Sequence, residues 1–245
     1  MYQVKTLNKI SPVGLAHLTE SYILTDKTED ADAILVRSQD MHEMEFSEKL
    51  EAIARAGAGV NNIPLDRCAK AGIVVFNTPG ANANAVKELV LCGMLLASRN
   101  VPAALTWAKG LTEDVSKTVE KGKSQFAGHE ILGKTLGIVG LGAIGRKVAE
   151  AAKALGMNIV GYDPYYVSGG EGLTVYPDLA EMLPLCDIVT LHLPANDATR
   201  GMVNKEFLAS MKDGAILLNF SRDKLVNDVD LLVALESGKL TQYVT

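Results

Sequence analysis

The stretch TLGIVGLGAIGRKVAEAAKALGMNIVGYD, residues 135–163, decides the fold. Leu136–Gly140 is a short apolar run of the kind a buried parallel strand gives. Gly140, Gly142 and Gly145 then make G-x-G-x-x-G. Ile144, Val148, Ala151, Ala152 and Leu155 recur at helical spacing, and Gly156 supplies a helix stop. Asn158–Tyr162 reads as a second strand, with Asp163 at its end.

A dinucleotide site needs these parts in this order. Gly140 allows a tight turn, Gly142 lets the main chain approach a pyrophosphate, and Gly145 lets helix and strand pack closely. The helix N-terminus offers free N–H groups and partial positive charge to phosphates. Asp163 stands about 20 residues beyond the glycines, where an acid accepts hydrogen bonds from the ribose diol. Its charge would repel a 2′-phosphate, so NAD is expected over NADP.

The chain has 245 residues, 48% of them apolar, and a formal net charge of −5. That suffices for one large domain or two modest ones. The acidic balance and the lack of a long basic run argue against nucleic acid as a partner. No apolar run reaches the roughly 18 residues of a membrane span. The start, MYQVKTLNKI, lacks the apolar centre of a signal peptide. Cys68, Cys92 and Cys186 form no C-x-x-C pair and read as reduced, buried thiols of a cytoplasmic protein. None of the four histidines is spaced as a metal pair, so no metal site is expected.

Residues 1–80 alternate short apolar runs with helical patterns. Val4–Leu7, Ile34–Val36 and Ile73–Phe76 read as strands, and Ser47–Ala56 and Pro64–Ala71 as helices. Asn77–Asn84 reads as a loop or hinge, which puts a domain boundary near residue 80, between 1–80 and 81–245. The run Leu89–Ala97 within Val86–Ser98 predicts a helix packed on all sides. The polar stretch Thr106–Glu130 is expected to cover the surface or to grip a partner subunit. Beyond the fingerprint, strands are expected at Leu173–Tyr176, Asp187–Leu193, Ala215–Phe220 and Leu240–Val244. Helices are expected at Asp178–Leu185, Asn204–Lys212 and Asn227–Glu236, the last two capped by Asn204 and Asn227. The alternation predicts an α/β fold with a doubly wound parallel sheet in the second half.

Ligands of such sheets bind outside the carboxyl ends of the strands. This makes Tyr162–Asp163, His192–Pro194 and Asn219–Arg222 the suspect positions. Arg222 follows a strand directly in NFSRDKLVN, where its guanidinium can hold a carboxylate by two parallel hydrogen bonds. His192 reads first as a packed, hydrogen-bonded side chain; His17, His42 and His129 read as solvated. Arg55–Gly59 is a second glycine-rich turn whose N–H groups could cradle an anion. Arg37 could add charge for an acidic substrate.

Five segments in order resemble the D-isomer-specific 2-hydroxyacid dehydrogenases: RAGAGVNNI (55–63), FNTPGANANAVKELV (76–90), GKTLGIVGLGAIGRKVA (133–149), DIVTLHLP (187–194) and NFSRDKLVNDVDLL (219–232). The resemblance implies a Rossmann nucleotide domain and a smaller, incomplete flavodoxin-like α/β substrate domain. It implies hydride transfer between NAD and C2 of a small phosphorylated 2-hydroxy acid, in a cytoplasmic homodimer. It makes Arg222 the active-site arginine. It makes Ala143, Ile144, Asp163, Leu193, Pro194, Phe220 and Ser221 cofactor contacts beside the three glycines. It makes Ala58 and Gly59 a carboxylate loop, and Arg37 and Arg55 basic substrate positions. Asn61, Lys87 and Asp223 depart from the usual residues. The family's acid/base histidine and its glutamate would lie beyond TQYVT (241–245), so a shortened, impaired chain is expected. Alternatives are a hydroxypyruvate or glyoxylate reductase, and a non-catalytic NAD(H)-responsive binding protein.

Overall fold

A computed structural model describes residues 1–166 and 172–245. The chain divides into two compact units, Met1–Asn82 and Ala83–Thr245. The first holds strands β1 (Tyr2–Leu7), β2 (Tyr22–Thr25), β3 (Ala33–Val36), β4 (Ala52–Arg55) and β5 (Val74–Phe76), with helices α1 (Pro12–Leu15) and α2 (Leu65–Lys70). All its strand pairs are parallel, in the order β2-β1-β3-β4-β5. That is the 2-1-3-4-5 flavodoxin-like order. Ile34, Val36, Met41, Ile53 and Cys68 are fully buried at its centre.

The second unit begins with the long helix α3 (Ala83–Ser98), then α4 (Val101–Lys109) and α5 (Val115–Gly122). Next come β6 (Thr135–Val139), α6 (Ala143–Ala154), β7 (Asn158–Tyr162) and β8 (Thr174–Val175). The chain continues through α7 (Leu179–Met182), β9 (Ile188–Leu191), α8 (Lys205–Ser210), β10 (Ala215–Asn219), α9 (Asp228–Glu236) and β11 (Leu240–Val244). The sheet order is β11-β10-β9-β6-β7-β8, all parallel. Counted within the unit this is the doubly wound Rossmann order, with the switch point between β6 and β9. One core lies on each face of the sheet: α3 and α6 cover Leu136, Ile138, Ile216 and Leu218, while Val139, Val189, Leu191 and Leu217 face the other layer. Each such fully buried aliphatic side chain contributes about 1.5–3 kcal/mol.

Asn204 and Asn227 cap their helices as the sequence predicts, accepting from Phe207 N–H and from Val229 and Asp230 N–H. Three expectations are corrected. Ser47–Ala56 is not a helix: residues 52–55 form β4, ladder-bonded between β3 and β5. Leu50 and Ile53 are buried at a helix-like spacing, but pairing on both sides outweighs the helix preference of alanine and arginine, which is under ~1 kcal/mol per residue. β2 carries no sequence expectation, being an edge strand whose Tyr22, Ile23 and Leu24 remain exposed. α3 is not packed on all sides: Val90, Gly93, Met94 and Ala97 are buried, whereas Leu89, Cys92, Leu95 and Leu96 line an exposed stripe. Cys92 is accordingly an exposed thiol, unlike buried Cys68 and Cys186. Among the described residues no single helix is long and apolar enough to cross a membrane; α3 and α4 together pass only as a pair bent by 67°.

Asp187 ties the N-terminal edge of the second sheet. Its Oδ2 accepts from Thr135 N–H at 2.8 Å and its Oδ1 from Lys212 Nζ at 3.0 Å. Partial burial opposes its ionisation, but these two bonds together with the positive charges of Lys212 and Lys134 outweigh it and hold the carboxyl below its ordinary 3.8. A lowered carboxyl pKa stabilises the fold above about pH 4 and loses that effect as pH falls through the folded value. Replacing Asp187→Asn is expected to cost about 1–3 kcal/mol in urea unfolding at pH 7. The difference from the parent should close as pH drops below about 4.

Candidate coenzyme and substrate site

The fingerprint folds into a strand, a turn and a helix with little freedom. Gly140 sits at φ 99°, a left-handed conformation that favours glycine, and a Cβ there would meet His192 O at 2.7 Å. Its N–H donates to Tyr162 O at 2.8 Å, binding the turn to β7. A Cβ on Gly145 would lie 2.0 Å from Gly140 O, so α6 rests directly on the turn. Gly142 is different. It is the N-cap of α6, without a side-chain cap, and nothing lies within 4 Å of where its Cβ would be. Uncapped N–H groups at the head of a three-turn helix, with open space before them, form an anion cradle. Ala143 is exposed in the first turn and Ile144 is partly buried against the core.

Asp163 ends β7 and faces this turn. Its Oδ2 accepts from Leu141 N–H at 2.8 Å and its Oδ1 from Tyr165 N–H at 2.9 Å. The carboxylate therefore braces the glycine turn, and each oxygen keeps lone-pair capacity for a further donor.

The ends of β9 and β10 lie beside the turn in the same sheet. His192 N–H donates to Val139 O, and Leu193 lays its side chain over Gly140. The His192 residue is half-buried, its Nε2 3.1 Å from Thr190 Oγ1, its Nδ1 shut off from solvent without a partner among the described residues. Burial pushes its pKa down to about 4, so the ring is neutral near pH 7. Pro194 is exposed and its carbonyl accepts from Thr199 Oγ1. His17, His42 and His129 are all exposed; His42 Nδ1 lies 2.6 Å from Asp40 Oδ1.

Beyond β10, Phe220 packs against the core in space left by Gly93, where a Cβ would meet its ring at 2.8 Å. Ser221 and Arg222 follow. The Arg222 guanidinium is exposed, donates from Nη1 to Ser221 O at 2.7 Å, and pairs with no carboxylate among the described residues. Asn219, at the end of β10, holds this turn through its side chain. Sequence reasoning placed Asn219 at a suspect strand end but assigned it no role; the available signal was a carboxamide closing the apolar run AILLN.

In the first unit, Arg37 follows β3 directly and Arg55 ends β4, the neighbouring strand. Arg55 Nε donates to Arg37 O at 3.0 Å. The turn at 55–59 thus leaves the end of a strand, not of a helix as the sequence reading had it. Ala58 O accepts from Asn77 Nδ2, and Gly57 O from Thr78 N–H, which pins the turn from the far side. Ala58 is exposed and Gly59 partly buried there.

Residues 91–245 match the family described as D-isomer specific 2-hydroxyacid dehydrogenase, NAD binding domain. The chain belongs to this family. D-3-phosphoglycerate dehydrogenase from Methanocaldococcus jannaschii is 38% identical over 97% of this chain and 45% of its own length. The protein of the same name from Homo sapiens is 38% identical over 88% of the chain and 40% of its own length. The chain thus spans less than half the length of these curated relatives. Among solved structures, an NADPH-dependent glyoxylate/hydroxypyruvate reductase from Sinorhizobium meliloti superposes with a TM-score of 0.86 at 26% identity, covering 100% of this chain and 80% of that one. A glyoxylate reductase from Paecilomyes thermophila gives 0.81 at 26%, covering 99% and 80%. The matched residues 91–245, the family's NAD-binding domain, all fall within the second unit.

The glycines should separate by experiment. Gly142→Ala is expected to fold with an unchanged melting temperature and to weaken NADH binding about tenfold or more, equivalent to ~1.4 kcal/mol. Gly145→Ala forces α6 off its turn and should cost about 1–3 kcal/mol or more in stability. Nucleotide fluorescence and thermal melting check both.

Proposed function

We propose that this chain serves NAD-dependent oxidation of 3-phospho-D-glycerate to 3-phosphooxypyruvate, the step that opens serine biosynthesis. The observation that carries this reading is a single sheet edge. The glycine turn after β6, His192–Pro194 after β9 and the exposed Arg222 after β10 all lie there. NAD, when bound, accepts the hydride from C2 of the substrate. Arg222 holds the substrate carboxylate by a forked pair of hydrogen bonds and orients C2. Ala143, Ile144, Leu193, Pro194, Phe220 and Ser221 line the coenzyme, and Asp163 takes the ribose diol and disfavours NADP. In the first unit, Ala58 and Gly59 offer main-chain N–H groups suited to a carboxylate, and Arg37 and Arg55 offer positive charge suited to an acidic substrate.

The hydroxyl proton needs an acceptor. Among the described residues His192 is the histidine at this edge, and burial leaves it a weak base. Proton transfer by a placed group typically contributes 10²–10⁴-fold. Slow turnover by these residues alone is therefore expected. The solved glyoxylate reductases favour a second reading, reduction of glyoxylate or hydroxypyruvate.

The test is NADH formation from 3-phosphoglycerate, run beside glyoxylate reduction. Arg222→Ala should lower kcat/KM by about 10²-fold or more in both assays, since a displaced substrate loses its alignment. Arg37→Ala should hurt phosphoglycerate much more than glyoxylate. Equal loss favours the reductase, and NADH binding without turnover of either favours a binding protein.

We also propose a cytoplasmic homodimer. The stripe Leu89, Cys92, Leu95 and Leu96 on α3 is the apolar face left for a second copy. Sedimentation should show a dimer, and Leu95→Lys with Leu96→Lys should shift it to a monomer that still binds NADH.

A further inference from the structure

The turn that carries Arg222 links the end of β10 to a single 3-10 turn, Asp223–Leu225, of which Arg222 is the N-cap. Leu225 N–H donates to Arg222 O at 3.3 Å, and upstream of it one side chain holds the segment. Asn219, the last residue of β10, is 2% exposed. Its Oδ1 accepts from Ser221 N–H at 3.2 Å, Ser221 Oγ at 2.8 Å and Arg222 N–H at 3.3 Å. Its Nδ2 donates to Arg222 O at 2.9 Å and to the Tyr243 hydroxyl at 3.1 Å. The partners leave no ambiguity about the amide's orientation. Main-chain N–H groups only donate and a carbonyl only accepts, so a flipped carboxamide would set donor against donor and acceptor against acceptor. Both ends of Arg222's backbone unit are therefore clamped by one buried group. Tyr243, from the neighbouring strand β11, fixes the clamp in turn. Thr245 Oγ1 donates to Asn219 O at 2.9 Å and closes the same corner.

We infer that Asn219 is the positioning residue for Arg222: its carboxamide, anchored by Tyr243, sets the backbone of Ser221–Arg222 and so aims the guanidinium at the substrate carboxylate. The aim at a carboxylate rests on the dehydrogenase reading above; the clamp on the turn does not. Only a side chain with an acceptor and a donor on one planar group satisfies both sides. Aspartate keeps the acceptor half and loses the donors, and alanine loses all five bonds.

The clamp and its consequence are read separately. Amide hydrogen exchange on the full chain follows Ser221 and Arg222 against Ala215–Leu218 of β10. Oxalate, a small carboxylate probe, is titrated with NADH saturating. Asn219→Ala should speed exchange at Ser221 and Arg222 by about tenfold or more while β10 stays slow, as a local opening would. It should weaken oxalate by roughly 10–10²-fold, the scale of a misaimed contact, with NADH affinity and melting temperature shifting far less. Asn219→Asp should keep Ser221 protected and recover part of the oxalate affinity; it also carries the test if the alanine variant does not fold. The double variant Asn219→Ala with Arg222→Ala should bind oxalate no more weakly than Arg222→Ala alone, because a residue that acts through another is non-additive with it. Unchanged exchange at Ser221 and Arg222, or losses that multiply in the double variant, overturns the inference. If the parent chain binds NADH but no oxalate, the dehydrogenase reading fails. The exchange data then decide the clamp alone: lost protection upholds it, retained protection overturns it.

Discussion

The second unit depends on one close approach, that of Gly145 on α6 to the carbonyl of Gly140. At 2.0 Å from a notional Cβ, that contact admits glycine without displacement. It seats the helix on the turn and leaves the helix head pointing over the sheet edge. The turn is bound in turn to β7 through Tyr162 O and the Asp163 carboxylate. An open, uncapped helix head thus arises from packing, before any ligand contributes. Gly142 keeps the cradle empty of side chain, and the uncapped N–H groups supply its partial charge.

The two edges of the same sheet are built for different ends. At the N-terminal edge, Asp187 joins the starts of β6 and β9 to Lys212 ahead of β10, and Asn158 and Gly133 close the start of β7. Hydrogen-bonding groups there are spent on one another. At the C-terminal edge, the chain leaves an exposed guanidinium and uncapped helix amides. Those groups are held in place by buried Asn219 and half-buried Asp163. Rigidity beneath and unmet polar capacity above is the arrangement expected of a binding edge in an open α/β sheet.

Much of this was legible in the residues. The glycine triplet, the two apolar runs around it and the acid at the end of the second run specify strand, turn, helix and strand by local sterics alone. The helix caps at Asn204 and Asn227 are equally local, since a side-chain oxygen reaches an amide two or three residues on. Arg222 could be suspected from its place after an apolar strand. β4 was not legible, because AIAR prefers a helix until two neighbouring strands offer it ladders on both sides. β2 was not, because an exposed edge strand has no burial pattern to read.

Sequence by itself determined the nucleotide fold and the coenzyme class, because both follow from spacing along the chain and from the conformations glycine alone allows. Tertiary structure alone decided which face of α3 stays exposed, that the half-buried His192 is neutral, and that Asn219 clamps Arg222 with an anchor from β11. Those are relations between residues distant in sequence. Their energies come from burial and from hydrogen bonds across strands, and such terms take a value only when the chain has brought the partners together.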